Sequence, residues 1–247
     1  MKQKKEKTHN KTPKNTGKIK QKKLSFSKIK SHKRDPKRMA KISHYFYQPI
    51  ADLFTWLFLN MNMTPNQVSV IMVLLSLVAA VLGFIPTKTC ILLAIGSHIL
   101  SMIIDHSDGM VATITKQFSK VGGYLDHLHH VIEITTVFLG VGVYTYFFEK
   151  NILFLYLGIF TTIGLLALIY LRDMFLFVTE TSIMKDHIHR KLPIVLVYGE
   201  FFKMWLPIIF IMLIFNLGSY VLYVSSTWIL TRAIVLPISY YIKIKEL

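Results

Sequence analysis

From Thr64 onward the chain is a succession of apolar runs, each about twenty residues long and broken by short polar turns. Such a run has the length of a helix that crosses a hydrocarbon layer. Inside that layer each backbone N–H and C=O must be satisfied within the protein, which restricts the choice to helices or closed barrels. Spans are expected near 67–85, 90–112, 121–147, 152–177, 194–215 and 219–241. Gly83 and Pro86, then Glu149 to Asn151, then Asn216 to Ser219 mark turns between them. Thr64 and Pro65 supply an N-cap and a first helical residue for the first span. Apolar residues make up 53% of the chain and mean hydropathy is +0.46, which argues against a soluble domain. The expected fold is all-α: a polytopic membrane protein with six transmembrane helices, preceded by an amphipathic juxtamembrane helix.

Charge is segregated. More than half of the 29 lysines and arginines fall in residues 1–48, opposed there only by Glu6 and Asp35. Residues 1–37 carry no apolar periodicity and read as a disordered, polybasic cytosolic tail. Such a tail is drawn to anionic lipid headgroups. Nucleic acid is not expected as a partner, since no aromatic or folded recognition module accompanies the charge. In residues 38–63, Met39, Ile42, Phe46, Ile50, Phe54 and Leu57 recur at three- and four-residue spacing between polar residues. This suits a helix lying in the membrane interface, or a stub packed on the bundle, with a bend at Pro49. Residues 64–247 form the membrane domain. Its basic residues cluster in the loops after spans two and four (Lys116, Lys120, Arg172, Lys185, Arg190, Lys191), which places those loops and both termini in the cytoplasm. The basic region is too long for the start of a signal peptide, so none is expected. The lone Cys90 excludes an internal disulfide.

Against this apolar background, Asp105, Asp108 and Asp126 stand at the ends of spans two and three, with His130 one turn further on. A carboxylate at membrane depth is costly and is by default a functional candidate. Asp105 and Asp108 share one helix face, and Asp126 and His130 share a face of the next. If the two helices form a hairpin, hard oxygen donors and one imidazole meet and can hold divalent cations.

The same stretch, DHSDGMVATITKQFSKVGGYLDHLHH, resembles the signature of the CDP-alcohol phosphatidyltransferases, D-x2-D-G-x2-A-R-x8-G-x3-D-x3-D. Asp105, Asp108, Gly109, Ala112, Gly122 and Asp126 match, with every spacing kept. Thr113 stands where the family has Arg, and His130 where it has its fourth Asp. Thr64-Pro65-Asn66 is similar to the triplet that opens the family's first transmembrane helix. The resemblance implies transfer of a phosphoalcohol group from a CDP-alcohol to a second alcohol, with CMP leaving. It implies a two-metal site for Mg²⁺ or Mn²⁺ on Asp105, Asp108, Asp126 and His130, with Asp126 and His130 catalytic. It implies that Asp105, Gly109, Ala112, Thr113 and Gly122 line the CDP site, and that the protein forms a homodimer, as members often do. The donor is expected to be CDP-diacylglycerol; a soluble CDP-alcohol with a lipid acceptor is the alternative.

The two departures shape the chemistry. An imidazole suits a general base at neutral pH. It also removes one negative charge, so weaker Mg²⁺ binding and greater tolerance for Mn²⁺ are expected. Glu133 is either a substitute ligand or a partner for His130. Thr113 offers only a hydroxyl near the phosphates, and Lys116 or Lys120 would have to compensate. Gly109, Ala112 and Gly122 admit either a nucleotide or close helix packing. His127, His129 and His130 point in different directions from one helix, so zinc is not expected there. His187 and His189 sit in a basic loop, either solvated or facing a phosphorylated acceptor with Arg190 and Lys191. Arg172, at the end of span four, is a further acceptor contact. Arg232, inside span six, would snorkel to headgroups or meet a substrate phosphate.

Other classes fit less well. Membrane prenyltransferases carry a second Asp-rich motif and more spans, a transporter would show internal repeats, and a degenerate relative would keep the fold without the reaction. The expected orientation is testable by thiol labelling in a Cys90→Ser background. A cysteine at Lys116 should react with an impermeant reagent only from the cytoplasmic side, and one at Lys150 only from the opposite side.

Overall fold

The structure, a computed structural model, describes Ser25, Phe26, Ile29 and residues 47–178 and 198–245. It is all-helical among these residues. Seven helices follow in order: α1 (Gln48–Asn60), α2 (Pro65–Gly83), α3 (Lys88–Thr115), α4 (Lys120–Glu149), α5 (Ile152–Val178), α6 (Tyr198–Ile214) and α7 (Gly218–Lys245). Helices α2, α3, α4, α5 and α7 are long and apolar enough to cross a membrane. Of the expected span at 194–215, the described residues form α6, whose 17 residues rise about 25 Å. Among the described residues, length and composition support five crossings, and the sixth expected span is described only from Tyr198, as the apolar helix α6.

The ends of these helices follow from local chemistry. At the start of α2 a capping box forms: Gln67 N–H donates to Thr64 Oγ1 at 3.4 Å, and Thr64 N–H donates to Gln67 Oε1 at 2.8 Å. Asn62, Lys116, Lys150 and Asn216 take left-handed backbone angles just past helix ends, which halts each helix and allows a tight reversal. Pro49 does not bend a longer helix. It occupies the first turn of α1, where its missing N–H costs nothing.

Ser119 bonded to Asn66, and Ser69 bonded to Asp108, put the start of α2 and the α3–α4 turn at one end of the bundle. At the opposite end Lys88 Nζ donates to the carbonyl of Ile214 at 2.8 Å, and Tyr144 donates to Asn216 Oδ1 at 3.2 Å. Helix α3 packs against α1, α2 and α6, and α4 packs against α2, α5 and α7. One core cluster runs through α3 to α7 (Ile95, Met102, Phe138, Val141, Leu165, Leu206, Leu222). A second ties α1, α2 and α3 together through Phe58, Leu59, Val68, Met72 and Val111. Ile29 is buried in this second cluster, so one point in the stretch read as a disordered tail is packed. The outward faces are apolar too: Val70, Leu74, Leu77 and Val81 on α2 are exposed, as lipid-facing positions are. Helix α1 turns its polar stripe inward, with Gln48 Nε2 donating to buried Asp52 Oδ1 at 2.6 Å, and leaves Ile50, Leu53 and Leu57 outside. That exposed face suits an interfacial helix.

Glycine sets how closely α4 approaches its neighbours. Gly140 lies against Gly83 of α2, where an added Cβ would meet the Gly83 oxygen at 3.1 Å. Gly142 lies against Gly158 of α5, and a Cβ on Gly158 would meet the Phe138 oxygen at 2.8 Å and Gly142 Cα at 2.9 Å. Both obstacles are backbone and cannot rotate away, which is how small residues drive association without a hydrophobic force. Gly158→Leu should therefore destabilise the detergent-solubilised protein by about 1–3 kcal/mol or more, read as a lowered midpoint of thermal unfolding. Gly123→Ala, where a Cβ meets nothing within 4 Å, should leave the midpoint in place or raise it.

Candidate metal and nucleotide site

Three helices meet at the α3–α4 turn. Helix α3 stops at Lys116, where Gln117 N–H closes onto the Ala112 carbonyl at 3.1 Å. Ser119 then caps α4, its Oγ accepting from Gly122 N–H at 2.9 Å. The same hydroxyl donates to Asn66 Oδ1 at 2.6 Å, which ties the first turn of α2 to the hairpin. One turn later Ser69 donates to Asp108 Oδ2 at 2.8 Å. The junction is tight at Gly122, where a Cβ would meet Asn66 Oδ1 at 3.2 Å and Ser119 Oγ at 3.3 Å.

The hairpin brings Asp105 of α3 together with Asp126 and His130 of α4. One donor atom from each lies within 4.8 Å of the others, and all three side chains are half-buried. His130 Nε2 is 3.6 Å from Asp126 Oδ1. Two carboxylates and an imidazole from facing helices form a mixed oxygen and nitrogen set that fits a small divalent cation. Asp108 lies outside this set, one turn nearer the end of α3, with one oxygen engaged by Ser69.

Gly109 and Ala112 continue the same end of α3, half-buried. Thr113 is exposed and donates to the Gly109 carbonyl at 2.7 Å, so its hydroxyl is bonded within its own helix. Lys116 is exposed at the turn. Arg172 donates through Nε and Nη2 to Asp173 Oδ1 at 2.9 and 2.8 Å, an exposed pair on α5. Arg190, Lys191, His187 and His189 lie outside the described residues. Arg232 is 3% exposed, its guanidinium 4.7 Å from the centre of the Trp228 ring. Snorkelling to headgroups is thereby corrected: the cation is enclosed in the bundle and held over an aromatic face.

Below the half-buried set, polar side chains continue into the bundle. Glu133 is buried, its Oε2 3.6 Å from His130 Nδ1 and 3.9 Å from His129 Nε2. His129 is fully enclosed, with Nδ1 at 2.7 Å from Ser76 Oγ and 3.0 Å from Ser101 Oγ. The two histidines, adjacent in sequence, thus both reach Glu133, while His127 points to solvent at 85% side-chain exposure. Tyr47, just ahead of α1, is buried as well. Burial pushes its phenol above the ordinary range, and the charge of Glu133 adds to this, so it remains a protonated donor.

Asn66, Ser69, Ser76, Ser101 and His129 did not stand out in the sequence as site residues. A signal was present: Ser69 and Ser76 lie two turns apart on one face of an otherwise apolar helix, opposite the face that carries Leu74 and Val81. A search of curated proteins finds no match. A family model for CDP-alcohol phosphatidyltransferase matches residues 62–239, more than two thirds of the sequence and all of the hairpin. The chain therefore belongs to the CDP-alcohol phosphatidyltransferase family, phosphotransferases that use a divalent metal to move a phosphoalcohol group from a CDP-alcohol in lipid synthesis.

Proposed function

We propose that this protein transfers the phosphatidyl group of CDP-diacylglycerol to a small polar alcohol and releases CMP. The observation that carries the reading is the meeting of Asp105, Asp126 and His130 across the α3–α4 hairpin, inside the stretch that matches the family. A donor with two acyl chains suits a site opening at one end of an apolar bundle, where the lipid stays in the bilayer and only the headgroup enters. The basic loops and N-terminal tail support a cytoplasmic face for that end, beside anionic headgroups.

Asp105, Asp108, Asp126 and His130 would hold Mg²⁺ or Mn²⁺. Bound there, the metal ions would neutralise the pyrophosphate and stabilise the charge that develops on the attacking and leaving oxygens. The imidazole in the donor set tilts the preference towards Mn²⁺.

The remaining work falls to the side chains. Gly109, Ala112 and Gly122 keep the walls of the hairpin mouth low enough for a nucleotide to approach the backbone. Ser69 orients the Asp108 carboxylate. Asp126, whose carboxylate keeps spare lone pairs when one oxygen holds a metal, accepts the proton of the acceptor hydroxyl, while His130 Nε2 stays with the metal. The freed oxygen forms a bond to the phosphorus of the phosphatidyl group, the bond from that phosphorus to the bridging oxygen breaks, and CMP leaves with the electron pair. Glu133, beside Nδ1, holds the ring so that the lone pair is at Nε2. Thr113 leaves the diphosphate without the family's arginine, and Lys116 and Lys120 at the turn supply positive charge instead.

Purified protein supplied with CDP-diacylglycerol, pooled polar alcohols and Mn²⁺ should release CMP. Asp126→Asn should abolish release, and EDTA should do so reversibly. His130→Ala should raise the Mn²⁺ concentration needed for release, since one ligand is lost. His130→Asp, which restores the family's residue, should retain activity and shift the preference towards Mg²⁺. Release that needs a soluble CDP-alcohol with a lipid acceptor would reverse the donor assignment. Release that Asp126→Asn leaves unchanged would remove this site from the reaction.

A further inference from the structure

Glu133 is the deepest carboxylate of the hairpin, about 20 Å along α4 from Lys120. It is 1% exposed, and its Oε1 has no hydrogen-bond partner among the described residues. Leaving an acceptor of this kind unsatisfied is costly, and an ionised one more so. Its Oε2 faces His130 Nδ1 at 3.6 Å and His129 Nε2 at 3.9 Å, and one donor atom from each of the three residues falls within a 4.8 Å cluster. In a tetrahedral site with bonds near 2.1 Å, neighbouring ligand atoms are about 3.4 Å apart, close to the two separations from Oε2.

The far side of His129 is already arranged as a metal-bound imidazole requires. Ser76 and Ser101 bracket Nδ1, and each hydroxyl also reaches the Met72 carbonyl, at 3.1 and 3.0 Å. Nδ1–H can donate to the hydroxyls while they donate onward to that carbonyl, which keeps the lone pair on Nε2. Such a partner fixes both the tautomer and the orientation of a ligating histidine.

We infer that His129, His130 and Glu133 form a second, inner metal site, selective for a borderline transition ion such as Zn²⁺ over Mg²⁺. Two imidazoles and one carboxylate are a ligand set suited to zinc, whereas Mg²⁺ prefers oxygen donors and retains its water. The inner and outer sets share His130 through opposite ring nitrogens. A neutral imidazole has one lone pair, so an ion held at Nδ1 withdraws Nε2 from the outer set. Occupancy of the inner site therefore opposes the reaction of the outer one, a consequence that rests on the transferase reading.

The test is a Co²⁺ titration of the full-length protein in detergent, followed by visible absorption and then by displacement with Zn²⁺. The expected result is a Co²⁺ band that Zn²⁺ removes, that survives in Asp105→Asn, and that is lost in His129→Gln and Glu133→Gln. Ser76→Ala keeps all three ligands and should weaken Co²⁺ binding by about 10–100-fold, so the result does not depend on whether the ligand variants fold. A second arm measures CMP release with and without Zn²⁺: inhibition is expected in the unaltered protein and not in His129→Gln, each relative to its own zinc-free rate. No band in the unaltered protein, or a band that persists in Glu133→Gln and Ser76→Ala, would overturn the inner site. Absence of CMP release before zinc is added would count against the transferase, and the absorption arm would still decide the site.

Discussion

Keeping carboxylates within an apolar bundle is the constraint on which the rest of this molecule depends. A charged side chain at the centre of a bilayer helix costs at least about 2.5–3.5 kcal/mol, so it must be placed near a helix end, paired or bound to a cation. Here Asp105 and Asp126 come within about 15 and 9 Å of the ends of their helices, at 1.5 Å per residue, and face each other across one hairpin. The turn from Lys116 to Ser119 aligns the two faces, and the first turn of α2 is fastened to it through Asn66 and Ser69. The glycine contacts at the other end of α4 then hold that helix between α2 and α5. The acidic end of the bundle and its tightly packed end are thus two parts of one helix.

Much of this was legible in the sequence because it depends on period and composition. Apolar runs of membrane length gave the long helices, and Thr64-Pro65 gave the start of α2 through the capping chemistry observed. The spacing put Asp105 with Asp108, and Asp126 with His130, on shared helix faces; the hairpin joins Asp105, Asp126 and His130, and Asp108 stands outside that set beside Ser69. Less legible was whatever depends on which neighbour a residue meets. Pro49 is equally compatible with a bend and with a first turn, and only the packing of α1 on α3 selects the latter. Arg232 reads alike as a snorkelling or an enclosed cation until Trp228 is found beneath it. The direction argument holds for His127, which points to solvent, and not for His129 and His130, which share one donor cluster. It did not anticipate that Glu133, one turn on, lies between two of them, because a long side chain can bridge the angular gap that the Cβ directions leave.

The residue at position 130 links these observations. Replacing a carboxylate by an imidazole removes charge from the outer set and adds a second nitrogen, at Nδ1, that faces inward. Glu133 restores the negative charge on that inner side, and His129 extends the nitrogen donors further. The polar column of Ser76, Ser101, His129 and Glu133 is buried where hydrogen bonds are strong and unmet partners costly. One histidine thereby stands between the half-buried carboxylates at the mouth of the hairpin and the enclosed Glu133 and His129 below them.

Electron paramagnetic resonance of Mn²⁺ tests the central claim most directly, since free Mn²⁺ gives a six-line spectrum that is lost on binding. A divalent centre on Asp105, Asp126 and His130 that serves a CDP-linked lipid should quench this spectrum, more strongly once CDP-diacylglycerol is present. Asp105→Asn combined with Asp126→Asn should restore the free signal. A spectrum that the protein leaves unchanged, or one quenched equally in the double variant, would contradict a metal centre at the α3–α4 hairpin.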